Sequence, residues 1–215
     1  MRFAAIETST EWCSVALWSG GEIAALERRA GNRHSELALP MLEQLLKGSS
    51  IEAVAFGAGP GAFTGLRIAC ALAQGLAFAR NLPVIGISTL EALAQESGAE
   101  RVVACIDARM SEVYYAALEK RAGHWHEAVA AQCVAPHSAP RPPGEGWIGC
   151  GNGFAVYGNM GMRRVFPEVH PTALAVAQLA APRLAAGEGV DAAQALPVYL
   201  RDKVAFTKEE LERRP

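Results

Sequence analysis

The sequence predicts an α/β protein of two subdomains, 1–100 and 101–215, each built on a mixed sheet. Three observations carry this. The chain opens with three short strand-like runs that read as a meander. A strand, a glycine-rich turn and a long apolar helix follow, in the order of an α/β unit. A second meander begins near Arg101 and leads again into strand and helix, so the second half repeats the plan of the first.

The opening strands are Phe3–Ile6, Cys13–Trp18 and Ile23–Leu26. Gly20-Gly21 supplies a hairpin turn between the second and third. The polar stretch Glu7-Thr8-Ser9-Thr10 links the first two. A helix is predicted over 35–47, because Leu37, Met41, Leu42, Leu45 and Leu46 fall at helical spacing. Pro40 inside it predicts a kink or a later start. Strand 53–56, the glycine turn, helix 64–80, strand 84–87 and helix 89–97 complete the first half. Ser88 or Thr89 is the expected cap of that last helix, with Glu91 in its first turn.

In the second half, Val102–Ile106 reads as a buried strand, Val113–Leu118 as its hairpin partner and His124–Ala130 as a third strand. Pro136 to Gly146 holds four prolines and two glycines, so it is a loop. Trp147–Cys150 is a short strand ending in Gly151-Asn152-Gly153. Thr172 to Ala186 is an alanine-rich helix with Pro182 near its end. The last fifteen residues carry nine charges and are expected as an exposed tail.

Composition narrows the function classes. Apolar residues make up 51% and charged residues 20% of 215, enough for a real core. The net charge is −2, so no large basic field draws in nucleic acid, and a role on RNA needs a partner that supplies positive surface. The five cysteines are far apart, without a CxxC, and read as reduced, buried small hydrophobes of a cytoplasmic protein. The first residues read as a strand rather than a secretory leader. Arg67 and Gln74 within the longest apolar helix argue against a membrane span.

Gly57 to Arg67, reading GAGPGAFTGLR, resembles a phosphate-binding turn before a helix. The chemistry does not follow. A P-loop needs a lysine and a hydroxyl after its last glycine, and here Gly65 is followed by Leu66-Arg67. A dinucleotide fingerprint fits nominally, but the next strand ends Gly86-Ile87-Ser88 with no acid for a ribose. A rigid turn is the preferred reading. The helix that follows has only Arg67 and Gln74 as strongly polar residues between Leu66 and Ala79, so it is expected to be covered on more than one side. A second subunit is the expected cover, with the 35–47 helix in the same patch.

Other candidates are weaker. Glu7-Thr8-Ser9-Thr10 could hold a phosphate or be a plain turn. His34-Ser35-Glu36 reads as an exposed helix start. His124 and His126 lack a third ligand for a metal. Asp107-Ala108-Arg109 is either a functional acid at a strand end or an Asp–Arg pair that steadies a hairpin. No GxSxG elbow, HExxH or Cys–His–Asn set occurs.

Several blocks together resemble the bacterial TsaB (YeaZ) family of tRNA threonylcarbamoyladenosine biosynthesis. They are Ile6-Glu7-Thr8-Ser9-Thr10 with Cys13 to Leu17, His34-Ser35-Glu36 ahead of Leu39-Pro40, Gly59 to Arg67, Gly86 to Leu90, Asp107 to Met110, Gly151-Asn152-Gly153, and Pro197-Val198-Tyr199-Leu200-Arg201. They run in order over almost the whole chain. Glu7 and Ala62 depart from the Asp and Ser usual there, which weakens the case for an intrinsic ATP site.

The resemblance implies an actin-like, Hsp70-like ATPase (ribonuclease H-like) fold and a non-catalytic scaffold and activating role, with no catalytic residue, metal or cofactor of its own. Its implied partners are TsaD, which transfers the threonylcarbamoyl group to adenosine beside the anticodon, and the small ATPase TsaE. In isolation the family pairs with itself, and tRNA is reached only through the complex. The expected partner surface is Leu37, Met41, Leu45, Leu66, Ala69, Cys70, Ala73, Gln74 and Ala77. Glu7, Thr8, Ser9, Gly59, Gly61 and Asp107 are the expected vestigial nucleotide loop. The rival readings are a small ATPase or kinase of the actin-like superfamily, using Glu7, Asp107 and the glycine turn, and a metallopeptidase, disfavoured because the paired-histidine motif is missing.

Overall fold

Two five-stranded sheets organise the chain. A computed structural model describes residues 1–201; the charged end expected as a tail lies, from residue 202 on, outside the described residues. Strands β1 (Arg2–Glu7), β2 (Trp12–Ser19), β3 (Glu22–Arg29), β4 (Ala53–Gly59) and β5 (Val84–Ser88) form the first sheet, in the order β3-β2-β1-β4-β5. The first three are antiparallel, while β4 and β5 run parallel to β1. Strands β6 (Arg101–Arg109), β7 (Glu112–Arg121), β8 (His124–Val134), β9 (Ile148–Cys150) and β10 (Val165–Phe166) form the second, in the order β10-β9-β6-β7-β8. Its pairing repeats that of the first: an antiparallel meander, then two parallel strands beside the meander's first strand. The internal duplication expected from the sequence is present in strand order and direction.

Helices separate the sheets into layers. Helices α1 (His34–Leu46) and α2 (Phe63–Phe78) cover one face of the first sheet, packing on Ile6, Val15, Val54 and Phe56. Helices α3 (Thr89–Glu96) and α5 (Ala173–Ala185) pack on each other between the two sheets. The far face of the second sheet is covered by the five-residue α4 (Gly153–Tyr157) and by loops. Because β1 and β4 are covered on both faces, they read as nearly continuous apolar runs, RFAAIE and AVAFGAG.

A boundary at residue 100 separates the strands of the two sheets but not their helices. Helix α5, late in the chain, packs on β1, β2, β4 and β5, and α3, early in the chain, packs its Leu90, Leu93 and Ala94 on the second sheet. Of the two outcomes expected of Pro40, the later start does not occur: α1 begins at His34 and continues through the proline. Glu36 and Pro40 are both exposed, so the carbonyl that loses its i+4 donor lies on the solvent side. The Ser88 cap is as expected, its hydroxyl accepting from the Glu91 N–H at 3.4 Å. The five cysteines are free thiols, and all but Cys133 are buried. Burial pushes the thiols of Cys13 and Cys105 up to about 11 and about 12, which keeps them unreactive.

Candidate functional site

Of the residues expected around a nucleotide, Glu7, Thr8, Ser9, Gly59 and Gly61 meet at the ends of β1 and β4, where the chain fills the space itself. The Thr8 hydroxyl donates to the Gly65 carbonyl at 2.7 Å, and the Ala62 N–H donates to the Ser9 carbonyl at 2.7 Å. The Thr8–Ser9 backbone thus lies against the first turn of α2, where free N–H groups would otherwise face an anion. A Cβ at Gly65 would run into the Thr8 carbonyl, and one at Gly61 would stand 2.6 Å from the Ser9 Cβ. These glycines serve close packing of one loop on another.

Glu7 completes the plug. Its side chain lies on the Gly57 backbone, where a Cβ would overlap the carboxylate. Oε1 accepts from the Ser9 N–H at 2.6 Å, and Oε2 has no hydrogen-bond partner among the described residues. Burial pushes the Glu7 carboxyl above its ordinary value, partly offset by its hydrogen bonds to Ser9 and Thr8. Asp107 does not join this group. Its carboxylate accepts from the Arg109 N–H at 2.9 Å and the Tyr157 hydroxyl at 3.2 Å, and it pairs with the exposed Arg109 guanidinium at 3.1 Å. The hairpin-steadying reading is the one the contacts match. A small cavity of about 200 Å³ between the sheets is lined by Thr10, Trp12, Ile106, Asn152 and His170, with neither Glu7 nor Asp107 among its walls.

The sequence reading missed what the Pro197–Arg201 block does. It runs as a strap from one subdomain to the other. The Val198 N–H donates to the Ala58 carbonyl at 2.7 Å, directly over Gly59. The Tyr199 ring lies 5.5 Å from that of Phe63, and its hydroxyl accepts from Arg67 Nε at 3.2 Å. Arg201 donates to the carbonyls of Ala108 and Arg109 and pairs with Glu112. It thereby holds a turn in which Arg109, Met110 and Ser111 are all left-handed, with φ of 62°, 56° and 60°. From the sequence the block reads only as part of the family resemblance, with no contact assigned to it.

The expected partner surface needs correction: none of its nine residues is exposed, because they lie on the inner side of α1 and α2 or, for Gln74, against the Ala195 carbonyl. Leu66, Ala69, Cys70, Ala73 and Ala77 of α2 are buried inside the chain, as is Met41 of α1, and Leu37 and Leu45 are half-buried on the same core. They fasten the helices to the sheet, so a charge at Ala69 or Ala73 would strike the core. Gln74 Nε2 and the Cys70 thiol both donate to the Ala195 carbonyl, at 2.9 and 3.2 Å. The face open to solvent is Thr64, Arg67, Ala71, Gly75 and Phe78, with Leu39 of α1 also exposed. Phe78 is 78% exposed, and a Cβ at Gly75 would meet nothing within 4 Å. Among the described residues no three His, Cys, Asp or Glu side chains group as a metal site. None of the described helices is long and apolar enough to cross a membrane.

Residues 27–207 match the family model described as TsaD, tRNA N6-adenosine threonylcarbamoyltransferase. The tRNA threonylcarbamoyladenosine biosynthesis protein TsaB of Escherichia coli is 39% identical, over 97% of this chain and 98% of that one. The protein of the same name from Haemophilus influenzae is 36% identical over 95% of both. Among solved structures, YeaZ from Pseudomonas aeruginosa superposes with a TM-score of 0.88 at 41% identity, covering 93% of this chain and 99% of that one. The duplicated sheet plan is that of the actin-like, ribonuclease H-like fold. With nearly complete coverage in both sequence and structure, the chain belongs to the TsaB (YeaZ) family.

Proposed function

We propose that the chain takes part in tRNA threonylcarbamoyladenosine biosynthesis, as the names of its relatives say of them. In this reading it is a non-catalytic subunit that docks and activates the catalytic subunit TsaD. One observation carries the docking: the outer face of α2, Thr64–Arg67–Ala71–Gly75–Phe78, is small and apolar at its centre and, among the described residues, uncovered. Small residues let a partner helix approach closely, and Phe78 and Leu39 offer apolar anchors at the edge. Isolated chains pair through the same face, which a partner subunit then competes for. TsaE joins the assembly, tRNA is held by the complex rather than by this chain, and the complex works in the cytoplasm. The filled turn around Thr8, Ser9 and Glu7 supports a role without intrinsic ATP turnover.

The test is threonylcarbamoylation of tRNA by TsaD and TsaE with and without this chain. Activity that rises with the chain up to one copy per TsaD is the expected result. Activity indifferent to the chain, or micromolar ATP affinity with turnover by the chain alone, would replace this reading with the small-ATPase one.

A further inference from the structure

The two sheets share a strand plan but not their outer covers. Where α1 and α2 lie on the first sheet, the second carries a proline-rich loop between β8 and β9 and only α4 between β9 and β10. A cavity of about 400 Å³ remains there, within the range of small-molecule sites. Val103, Tyr115 and Phe154, all buried, form its floor, and Trp147, Met160 and Met162 its walls. The wall loop is held in place: the Tyr115 hydroxyl donates to the Pro140 carbonyl at 2.6 Å, Trp147 Nε1 to the Pro143 carbonyl at 2.9 Å, and Arg101 to the Glu145 carbonyl at 2.7 Å. The cavity is therefore formed before anything enters it.

Three arginines, Arg141, Arg163 and Arg164, stand among its lining residues. Among the described residues seven other arginines pair with carboxylates, as in Arg101–Glu119, Arg183–Glu188 and Arg201–Glu112, and Arg2, Arg28, Arg67 and Arg80 do not. Among the described residues none of these three forms an ion pair; Arg164 lies over the Phe166 ring at 5.4 Å. Among the described residues the one acid in the lining is Glu145, so the lining carries a net positive charge. Guanidinium groups match phosphate geometry, and a phosphate monoester carries about two negative charges near neutral pH.

We propose that this cavity binds a small phosphate monoester with a flat ring, of the size of a nucleoside monophosphate. The ring sits against Trp147 and the methionines, and the phosphate meets Arg141 and Arg163 at the mouth. A concave, loop-walled site favours a small molecule over an RNA duplex, which needs a broad basic surface that a chain of net charge −2 lacks. The site lies on the face of the second sheet turned away from α3, in a different layer from the α2 surface.

Calorimetry on the full chain, with the four common nucleoside monophosphates, adenosine, inorganic phosphate and a short RNA hairpin as probes, tests this. At least one monophosphate is expected to bind with a Kd below about 1 mM. The ring without phosphate and the phosphate without ring should each be weaker by about tenfold or more. The double variant Arg141→Ala/Arg163→Ala, altered only at exposed positions, should lose about tenfold in affinity at an unchanged melting temperature, and Arg164→Ala, whose guanidinium lies over Phe166, should change affinity less. No monophosphate binding, binding that ignores the arginine variants, or RNA bound more tightly through the same arginines would overturn the proposal.

Discussion

The first sheet and the second sheet have the same strand order, and they differ in what lies on their outer faces. On the first, α1 and α2 give a continuous helical cover welded to the sheet by Ala69, Ala73, Ala77 and Leu66. On the second, a proline-rich loop and a five-residue helix leave a cavity. A complete helical cover moves the available surface outward to the far side of α2, where the docking of a macromolecule is proposed. An incomplete cover keeps the available surface inward, where the binding of a small molecule is proposed. One duplicated plan thus carries two different kinds of surface.

The sharpest way to break this contrast is a charge on the inner side of the helical cover. Ala73→Glu buries a carboxylate against Ile6 and Phe56 with no partner, and should cost about 4 kcal/mol or more. Thermal unfolding followed by circular dichroism reads it; an unchanged midpoint would mean that α2 is not fastened as described. Gly65→Ala tests the join between α2 and the first loop. Its methyl group displaces the Thr8 carbonyl, with an expected loss of about 1–3 kcal/mol in urea unfolding.

Glu7 gives a pH signature to the same region. Burial raises its carboxyl above the ordinary 4.5, so the folded chain keeps a proton that the unfolded chain has lost. Its contribution is fully present below 4.5 and is lost as pH rises through the raised value. Unfolding free energy of the wild-type chain should therefore fall across that window, and that of Glu7→Gln should fall less. Parallel curves would show that Glu7 is not the group responsible. The smallest effect is expected on the outer side of α2. Gly75→Ala meets open space and should raise stability by about 0.5–1 kcal/mol, the opposite sign to Gly65→Ala in the same helix.

The strand meanders were legible in the sequence because alternation and the Gly20-Gly21 turn are local signals, and so was the Ser88 cap. The faces of α2 were not. Alanine and glycine occur on both sides of this helix, so hydropathy has little contrast to read, and the small residues chosen as a partner surface are the ones that meet the sheet. The crossing of α3 and α5 between the sheets was hidden for a different reason. Each helix follows one subdomain in sequence and packs on strands of the other, which no local pattern encodes. The same holds for Arg201, whose contacts with Ala108 and Arg109 span more than ninety positions. Glu7 was legible as a polar residue in a turn, while its burial on Gly57 depends on β4 lying beside β1.

Docking through the outer face of α2 is tested most directly by Ala71→Glu. Ala71 is exposed, so the substitution leaves the core untouched. Size-exclusion chromatography of the variant mixed with TsaD, with the melting temperature measured alongside, gives both quantities at once. The expected result is an unchanged melting temperature and elution as two separate proteins, where the wild-type chain co-elutes with TsaD. Co-elution of a folded Ala71→Glu variant at wild-type stoichiometry would contradict the account.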